Sequence, residues 1–96
     1  MLVDESFGTT RDGCYELTRV HHHNDRVIRI RIHRDSYAHQ SSAVAEVLTP
    51  ELTWTELAHV LPTHWHHTTP YRTGNPAPLE PLAEQLLTRA VAILTT

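Results

Sequence analysis

Residues 26–34 have the sequence Arg-Val-Ile-Arg-Ile-Arg-Ile-His-Arg, and this stretch decides the fold. Three isoleucines alternate strictly with Arg29, Arg31 and His33. A period of two among β-branched residues is typical of a half-buried strand, because successive side chains point to opposite faces of a sheet. The stretch therefore predicts a strand with its isoleucines in a core and its arginines on the outer surface.

The segment before this strand predicts its hairpin partner. Residues 14–22 contain tyrosine, threonine and valine, and the asparagine and aspartate that precede the central strand favour a tight turn. The register remains open at this point. One choice buries the set that includes Val20 and Thr18, whereas the other buries Tyr15 and Leu17.

The segment after the central strand predicts a third strand over residues 42–48, where alanine and valine occupy every second position. Glu46 then lies on the opposite face, beside Arg29 or Arg31.

Residues 49–61 are compatible with two structures. The sequence at 49–51, Thr-Pro-Glu, suits the start of a helix, and four apolar residues from Trp54 to Leu61 follow at helical spacing. Against this, the threonines that flank Trp54 favour a strand, and Pro50 suits the centre of a turn between two strands. We favour a fourth strand here.

The remaining segments complete the prediction of a single domain over residues 1–96. The polar stretch 1–12 is expected to be a loosely docked arm, and residues 14–61 form the sheet region. Four prolines and one glycine make residues 62–78 a long, irregular, Pro/His-rich connection. A broad apolar stripe predicts a C-terminal helix over residues 79–95. The predicted class is therefore α+β: a small antiparallel β-meander of three to four strands with one C-terminal α-helix packed on one face.

Composition limits the functions that we expect. The chain has 96 residues, a net charge of −3, eight arginines without any lysine, and one cysteine. This net charge argues against a general binder of nucleic acid or anionic membrane, and Cys14 alone permits no intramolecular disulfide. No signal sequence and no apolar run of about 18 residues is recognisable, so we expect a cytoplasmic protein without membrane contact. The exclusive use of arginine indicates a high-GC bacterial or phage gene.

Nine histidines give the sequence its most unusual feature. In a meander, the second and fourth strands finish at the same end of the sheet. The histidines at that end, which could converge on zinc or another divalent transition metal, are His33, His39, His64 and His66. No established zinc-binding spacing occurs. A metal site is therefore an alternative hypothesis, and solvated or packed histidines are the simpler interpretation.

The arginines of the central strand support a second alternative, nucleic-acid binding. Arg29 and Arg31, with Tyr15 and Arg19 nearby, could lie along a phosphate backbone. The simpler interpretation is a solvent-exposed strand surface that Glu46 partly neutralises. The acidic remainder of the chain also makes nucleic acid the less favoured partner.

The leading hypothesis is a small non-enzymatic interaction module that contacts another protein or itself. No glycine-rich phosphate loop and no nucleophile elbow occurs, so we do not expect an enzyme or a cofactor. One helix covers one sheet face, which leaves Val44 and Leu48 on the other and favours a homo-oligomer. Trp65, inside the irregular connection, is either a pin that holds this segment or an exposed partner-binding anchor.

Overall fold

The computed structural model describes all residues from 1 to 96 and contains five β-strands and one α-helix. The strands are β1 (Leu2–Arg11), β2 (Cys14–His23), β3 (Arg26–Arg34), β4 (Ser42–Leu48) and β5 (Trp54–His59), and the helix is α1 (Glu80–Leu94). Short 3₁₀ turns occupy Ala38–Gln40, Pro62–His64, His66–Thr68 and Ala77–Leu79. The strands form one antiparallel sheet in the order β1-β2-β3-β4-β5, and α1 packs on it. The predicted α+β class and the meander are confirmed.

The number of strands is five, whereas the sequence predicted three to four. The additional strand is β1, in the segment 1–12 for which we expected a loose arm. β1 pairs with β2 along its length, with irregularities near its two ends, and Phe7 is its only residue that is not exposed. Backbone hydrogen bonds rather than buried side chains hold this edge strand. Its sequence therefore lacks the apolar alternation that marks a half-buried strand.

The ambiguous stretch 49–61 contains β5, and the helical alternative is wrong. Leu52 donates its backbone N–H to the carbonyl of Thr49 (2.9 Å), which closes a β-turn with Pro50 and Glu51 at its centre. The N–H of Thr49 then donates to the carbonyl of Thr53 (2.8 Å), where the antiparallel pairing of β4 and β5 resumes. Proline suits the second position of such a turn because its ring fixes φ.

One face of the sheet, which we call the covered face, carries the core. The three isoleucines of β3 are buried there, and β4 contributes Ala43 and Ala45 beside them. The helix packs mainly against β3, β4 and β5 through the apolar stripe that includes Leu82 and Leu86. It begins at Glu80, one residue after the predicted start, and it is too short to cross a membrane.

The register of the first hairpin turns Tyr15 and Leu17 towards the core. Leu17 lies opposite Ile32, and both side chains are buried. Arg19 shares this face with them and is only 7% exposed. Its guanidinium donates to Glu5 of β1 (2.8 Å) and to Glu80 at the start of α1. This ion-paired bridge joins the edge strand to the helix.

His21 lies on the covered face at the other end of β2 and is also buried. Burial lowers the pKa of His21 below its ordinary value of 6.5. The positive charges of the Met1 amino group and Arg19 act in the same direction, against a smaller raising effect of Glu84 on α1. The folded protein therefore favours the neutral imidazole.

The Pro/His-rich segment 62–78 is tied to the end of the sheet. The hydroxyl of Tyr15 donates to the carbonyl of Pro70 (2.8 Å). Arg34 donates to the hydroxyl of Thr69 (3.2 Å) and to the carbonyl of Gly13 (2.8 Å). These bonds hold against the β1–β2 turn a segment that has short 3₁₀ turns but no strand or α-helix of its own.

Candidate interaction surface

The sheet face opposite α1 has no helix or strand packed on it, and we call it the open face. It is formed by the side chains that alternate with the buried ones along each strand. Its central members are Val20, Arg29, Arg31, Val44, Glu46, Leu48 and Trp54. The alternation of β3 thus produces two chemically different surfaces from one strand, with isoleucines below and arginines above.

A charged network occupies the centre of the open face. Glu46 of β4 accepts hydrogen bonds from Arg31 (2.8 and 3.1 Å) and from Arg29 (3.0 Å). Glu46 as a whole residue is only 8% exposed although no helix covers it, because the two neighbouring arginine side chains enclose it. The pairing that the strand alternation predicts for Glu46 is present.

The electrostatics of this network are set by the arginines. Burial by itself would raise the pKa of the Glu46 carboxyl, but the hydrogen bonds from Arg31 and Arg29 outweigh it and lower the pKa below its ordinary value of 4.5. Glu46 is thus ionised at neutral pH. Two guanidinium groups share the Glu46 carboxylate, and the exposed carboxylate of Glu56, opposite Glu46 on β5, offsets the remaining positive charge of this network.

Aromatic and aliphatic side chains surround the network. The guanidinium carbon of Arg29 lies 4.1 Å from the centre of the Trp54 ring, the geometry of a cation–π contact. Val20, Val44 and Leu48 are each partly exposed on the same face. Arg29 is therefore fixed by a carboxylate and by an indole ring, next to apolar area that no part of the fold covers.

The structure separates the residues that were predicted to contact nucleic acid. Arg29 and Arg31 lie together, but both are engaged with Glu46. Tyr15 and Arg19 lie on the covered face, where they are 1% and 7% exposed. The predicted set of three arginines and a tyrosine therefore does not form one surface.

The four histidines proposed as metal ligands do not form a common centre. His33 contacts Glu16 through Nδ1 (2.9 Å), and Nε2 of His66 is hydrogen-bonded to the carbonyl of Asp35 (2.7 Å). His39 and His64 are exposed. No group of three or more histidine, cysteine or acidic side chains is placed so that it could hold a metal ion. The structure therefore does not bring these four histidines together as a set of metal ligands.

Trp65 is a structural residue of the irregular segment rather than an exposed anchor. It is 4% exposed, and its indole Nε1–H donates to the carbonyl of Val60 (3.2 Å). It also lines a groove together with His64 and Arg89. Of the two interpretations of Trp65, the pin is the one that matches its position.

Sequence reasoning missed a buried network around Asp35, which follows β3. Its carboxylate accepts hydrogen bonds from the N–H of Tyr37 (3.0 Å), from Arg11 (3.2 Å) and from the Cys14 thiol (3.5 Å). The hydrogen bond from the Tyr37 N–H is the main cause that holds the pKa of Asp35 far below its usual range. Burial acts in the opposite direction, and the hydrogen bonds of Cys14, Arg11 and His33 lower the pKa further. An aspartate that bonds the N–H two residues on is an Asx-turn, so Asp-Ser-Tyr after a strand was a recognisable signal.

Comparison with protein-family models, with curated protein sequences and with solved structures yields no significant match. The open face therefore has to be interpreted from its own geometry and chemistry.

Proposed function

We propose that this chain is a non-enzymatic protein-interaction module whose contact surface is the open face. The observation that carries the proposal is the Arg29–Glu46–Arg31 network, stacked on Trp54 at the centre of an uncovered sheet face. Tryptophan and arginine are the residues most enriched among the hot spots of protein interfaces.

The network lowers the cost of binding through these residues. A free arginine side chain loses rotamer freedom when a partner immobilises it, which costs about 0.5–1.5 kcal/mol. Arg29 is already held by Glu46 and by the Trp54 ring, and Arg31 is held by two hydrogen bonds to Glu46. This part of the surface is therefore ordered before a partner arrives.

The charge and the apolar area of the open face define the partner. Arg31, which has half of its side chain in solvent, lies directly opposite Val44, and Val20 and Leu48 add apolar area on the same face. A complementary surface would offer apolar side chains around a carboxylate. On the open face of a second copy, Glu46 is already engaged by two arginines and Glu56 by His59, so the proposed occupant is a different protein that offers its own carboxylate.

The test uses a displayed library of random peptides that is selected on the wild-type protein alone. We expect the enriched peptides to combine apolar residues with aspartate or glutamate. Their dissociation constants should rise at least tenfold on Val44→Asp. Arg31→Gln, which keeps the Arg29–Glu46 pair, should abolish the preference for acidic peptides.

Ile93→Asp is the matched control, because Ile93 is an exposed aliphatic residue on α1, on the other side of the sheet. It should leave peptide binding unchanged. Amide chemical-shift mapping identifies the surface that each peptide uses. Enriched peptides that shift the groove beside Trp65, or that bind Val44→Asp as well as wild type, would refute the proposal.

A further inference from the structure

The outer edge of β1 is free. The strand pairs only with β2, and no side chain or loop donates to or accepts from its outward backbone groups. Its central residues, Asp4 to Thr9, pair with β2 in an uninterrupted register. A regular, exposed strand edge is a template for a further strand.

The hydrogen bonds at the start of the chain show which groups of β1 point outward. Met1 and His22 exchange both of their backbone hydrogen bonds, at 2.6 and 2.8 Å. Backbone groups alternate in direction along a strand, so every second residue of β2 from His22 onward also faces β1. Their neighbours across the ladder include Ser6 and Gly8, which therefore bond to β2. The residues that direct N–H and C=O away from the sheet are Glu5, Phe7 and Thr9.

The opposite edge of the sheet is protected. The pairing of β5 with β4 is interrupted by an extra residue, Leu57, between Glu56 and Ala58. Arg89 of α1 also donates to the outward carbonyl of His59 (2.9 Å). A bulge and a capped carbonyl both discourage the addition of a strand. The fold thus blocks one edge and leaves the other open over six residues.

We propose that β1 pairs antiparallel with β1 of a second copy of this chain, about a twofold axis at Phe7. In this register Phe7 faces the partner's Phe7, and Glu5 faces the partner's Thr9. Each such pair of outward residues exchanges two backbone hydrogen bonds. All outward N–H and C=O groups of Glu5, Phe7 and Thr9 are then satisfied in both copies.

Neighbouring registers are worse. A shift of one residue would place outward groups opposite inward ones, which an antiparallel ladder does not allow. A shift of two residues leaves one of the three outward residues without an outward partner. Moving the axis from Phe7 to Glu5 would also oppose two glutamates, which is unfavourable.

The side chains are compatible with the proposed register. Asp4 faces the partner's Thr10 and Glu5 faces the partner's Thr9, so no like charges are opposed. The acidic half of each strand also lies near the half that ends in the basic Arg11. Phe7, which packs partly on Tyr15 with ring centres 6.0 Å apart, would cover its exposed edge with the partner's Phe7.

This pairing has a consequence for the open face. The twofold axis is perpendicular to a continuous ten-stranded sheet, so both helices lie on one side and both open faces on the other. Two copies of the proposed contact surface would then act together on a partner that carries two matching sites. The inference itself does not depend on the open face, because it uses only the edge of β1.

Thr9→Pro tests the pairing. Proline removes the outward N–H of residue 9 but no hydrogen bond to β2, and proline is tolerated on an edge strand when its nitrogen faces solvent. Thr9→Val is the matched control, since it keeps the N–H. In sedimentation velocity over a range of concentrations, wild type and Thr9→Val should form dimers. Thr9→Pro should raise the dissociation constant of the dimer at least tenfold while retaining the wild-type circular dichroism spectrum.

A disulfide experiment tests the register without proline. Ser6 faces the partner's Gly8 in a pair without mutual hydrogen bonds, for which the Cα separation is about 4.5 Å and within the range of disulfides. A Cβ at Gly8 meets no atom within 4 Å, so Gly8→Cys is sterically permitted. A mixture of Ser6→Cys and Gly8→Cys proteins should form a crosslinked dimer on mild oxidation, and neither protein alone should do so.

Several outcomes would overturn the inference: a wild-type protein that stays monomeric at every concentration, a Thr9→Pro dimer as tight as wild type, or no crosslink in the mixture. The two proposals fail separately. Val44→Asp should still dimerise if only the open face is lost, and Thr9→Pro should still bind the selected peptides as a monomer.

Discussion

Replacing Glu46 by glutamine tests whether the charged network also stabilises the fold. Glutamine has nearly the same shape, so the substitution removes the charge while leaving the packing of β4 in place. Glu56 provides the control, because it lies directly opposite Glu46 on β5 but is exposed and has its only side-chain hydrogen bond with His59 (3.0 Å).

The expected loss follows from the surroundings of Glu46. A hydrogen bond to a charged group contributes about 1.5–3 kcal/mol when it is well shielded from water. Here the side chain of Glu46 is 10% exposed, but its main donor, Arg31, has half of its side chain in solvent and regains hydration when released. We therefore expect Glu46→Gln to lower the free energy of unfolding by about 1–3 kcal/mol. Glu56→Gln should change it by no more than about 0.5 kcal/mol, because Glu56 has no buried partner.

Urea denaturation at pH 7 measures the free energy of unfolding of both variants. The dependence of this free energy on urea concentration should be the same for all proteins, which shows that each exposes the same surface area on unfolding. The difference between wild type and Glu46→Gln should also shrink on acidification. The lowered pKa of Glu46 means that its contribution is present above about pH 4.5 and is lost as the pH falls through the folded-state pKa. Equal losses for Glu46→Gln and Glu56→Gln, or a difference independent of pH, would refute the assignment of stability to this network.

Three further predictions concern the core, a buried histidine and a turn. Ile30→Ala should lower the free energy of unfolding by about 2–5 kcal/mol, because Ile30 is fully buried, while Ile93→Ala on the exposed side of α1 should cost much less; similar losses in urea titrations would contradict this. Burial and then nearby positive charges lower the pKa of His21, so the unfolded chain takes up a proton on this residue more readily than the folded protein. The free energy of unfolding should therefore decrease as the pH falls below 6.5. Wild type should accordingly lose more thermal stability between pH 7.5 and 5 than His21→Gln does, and parallel curves would show that His21 is not responsible. Gly13→Ala should lower the free energy of unfolding by at least about 1–2 kcal/mol, since φ is 77° and a Cβ would lie 2.5 Å from a tyrosine ring. Gly8→Ala, where a Cβ meets no atom within 4 Å, should lower it much less. Equal melting temperatures for the two variants would contradict this.

The elements that have one buried face and one exposed face were predictable from the sequence. The isoleucine alternation fixed β3, every second residue of β4 is alanine or valine on the core side, and the apolar stripe located α1 within one residue. The segment 49–61 was harder because Trp54 and Leu57 suit either period. The β-turn around Pro50 decides it, and that turn depends on the hydrogen bonds of Thr49, which no periodicity records.

The open face was partly predictable and partly not. Alternation placed Glu46 on the same side as Arg29 and Arg31, so the ion pairs followed from strand geometry. The stacking of Arg29 on Trp54 required the register across two strand pairs, which includes the bulge at Leu57. Arg19 belongs to the covered face because the hairpin register turns it inward, and its exposure could not be inferred from its charge.

β1 was hard to recognise in the sequence because it has almost no buried side chains, and this property also bears on the role of the strand. The helix packs mainly on β3, β4 and β5, so the sheet half that contains β1 receives little cover. Phe7, the Glu5–Arg19 pair and, at the end of the strand, the bonds of Thr10 and Arg11 attach the side chains of β1 to the rest of the fold. A strand with so little buried area depends on its backbone hydrogen bonds, and half of the groups that could form them point away from β2. A second copy supplies partners for that outward half, which gives this polar edge strand a physical reason to be regular over its six central residues.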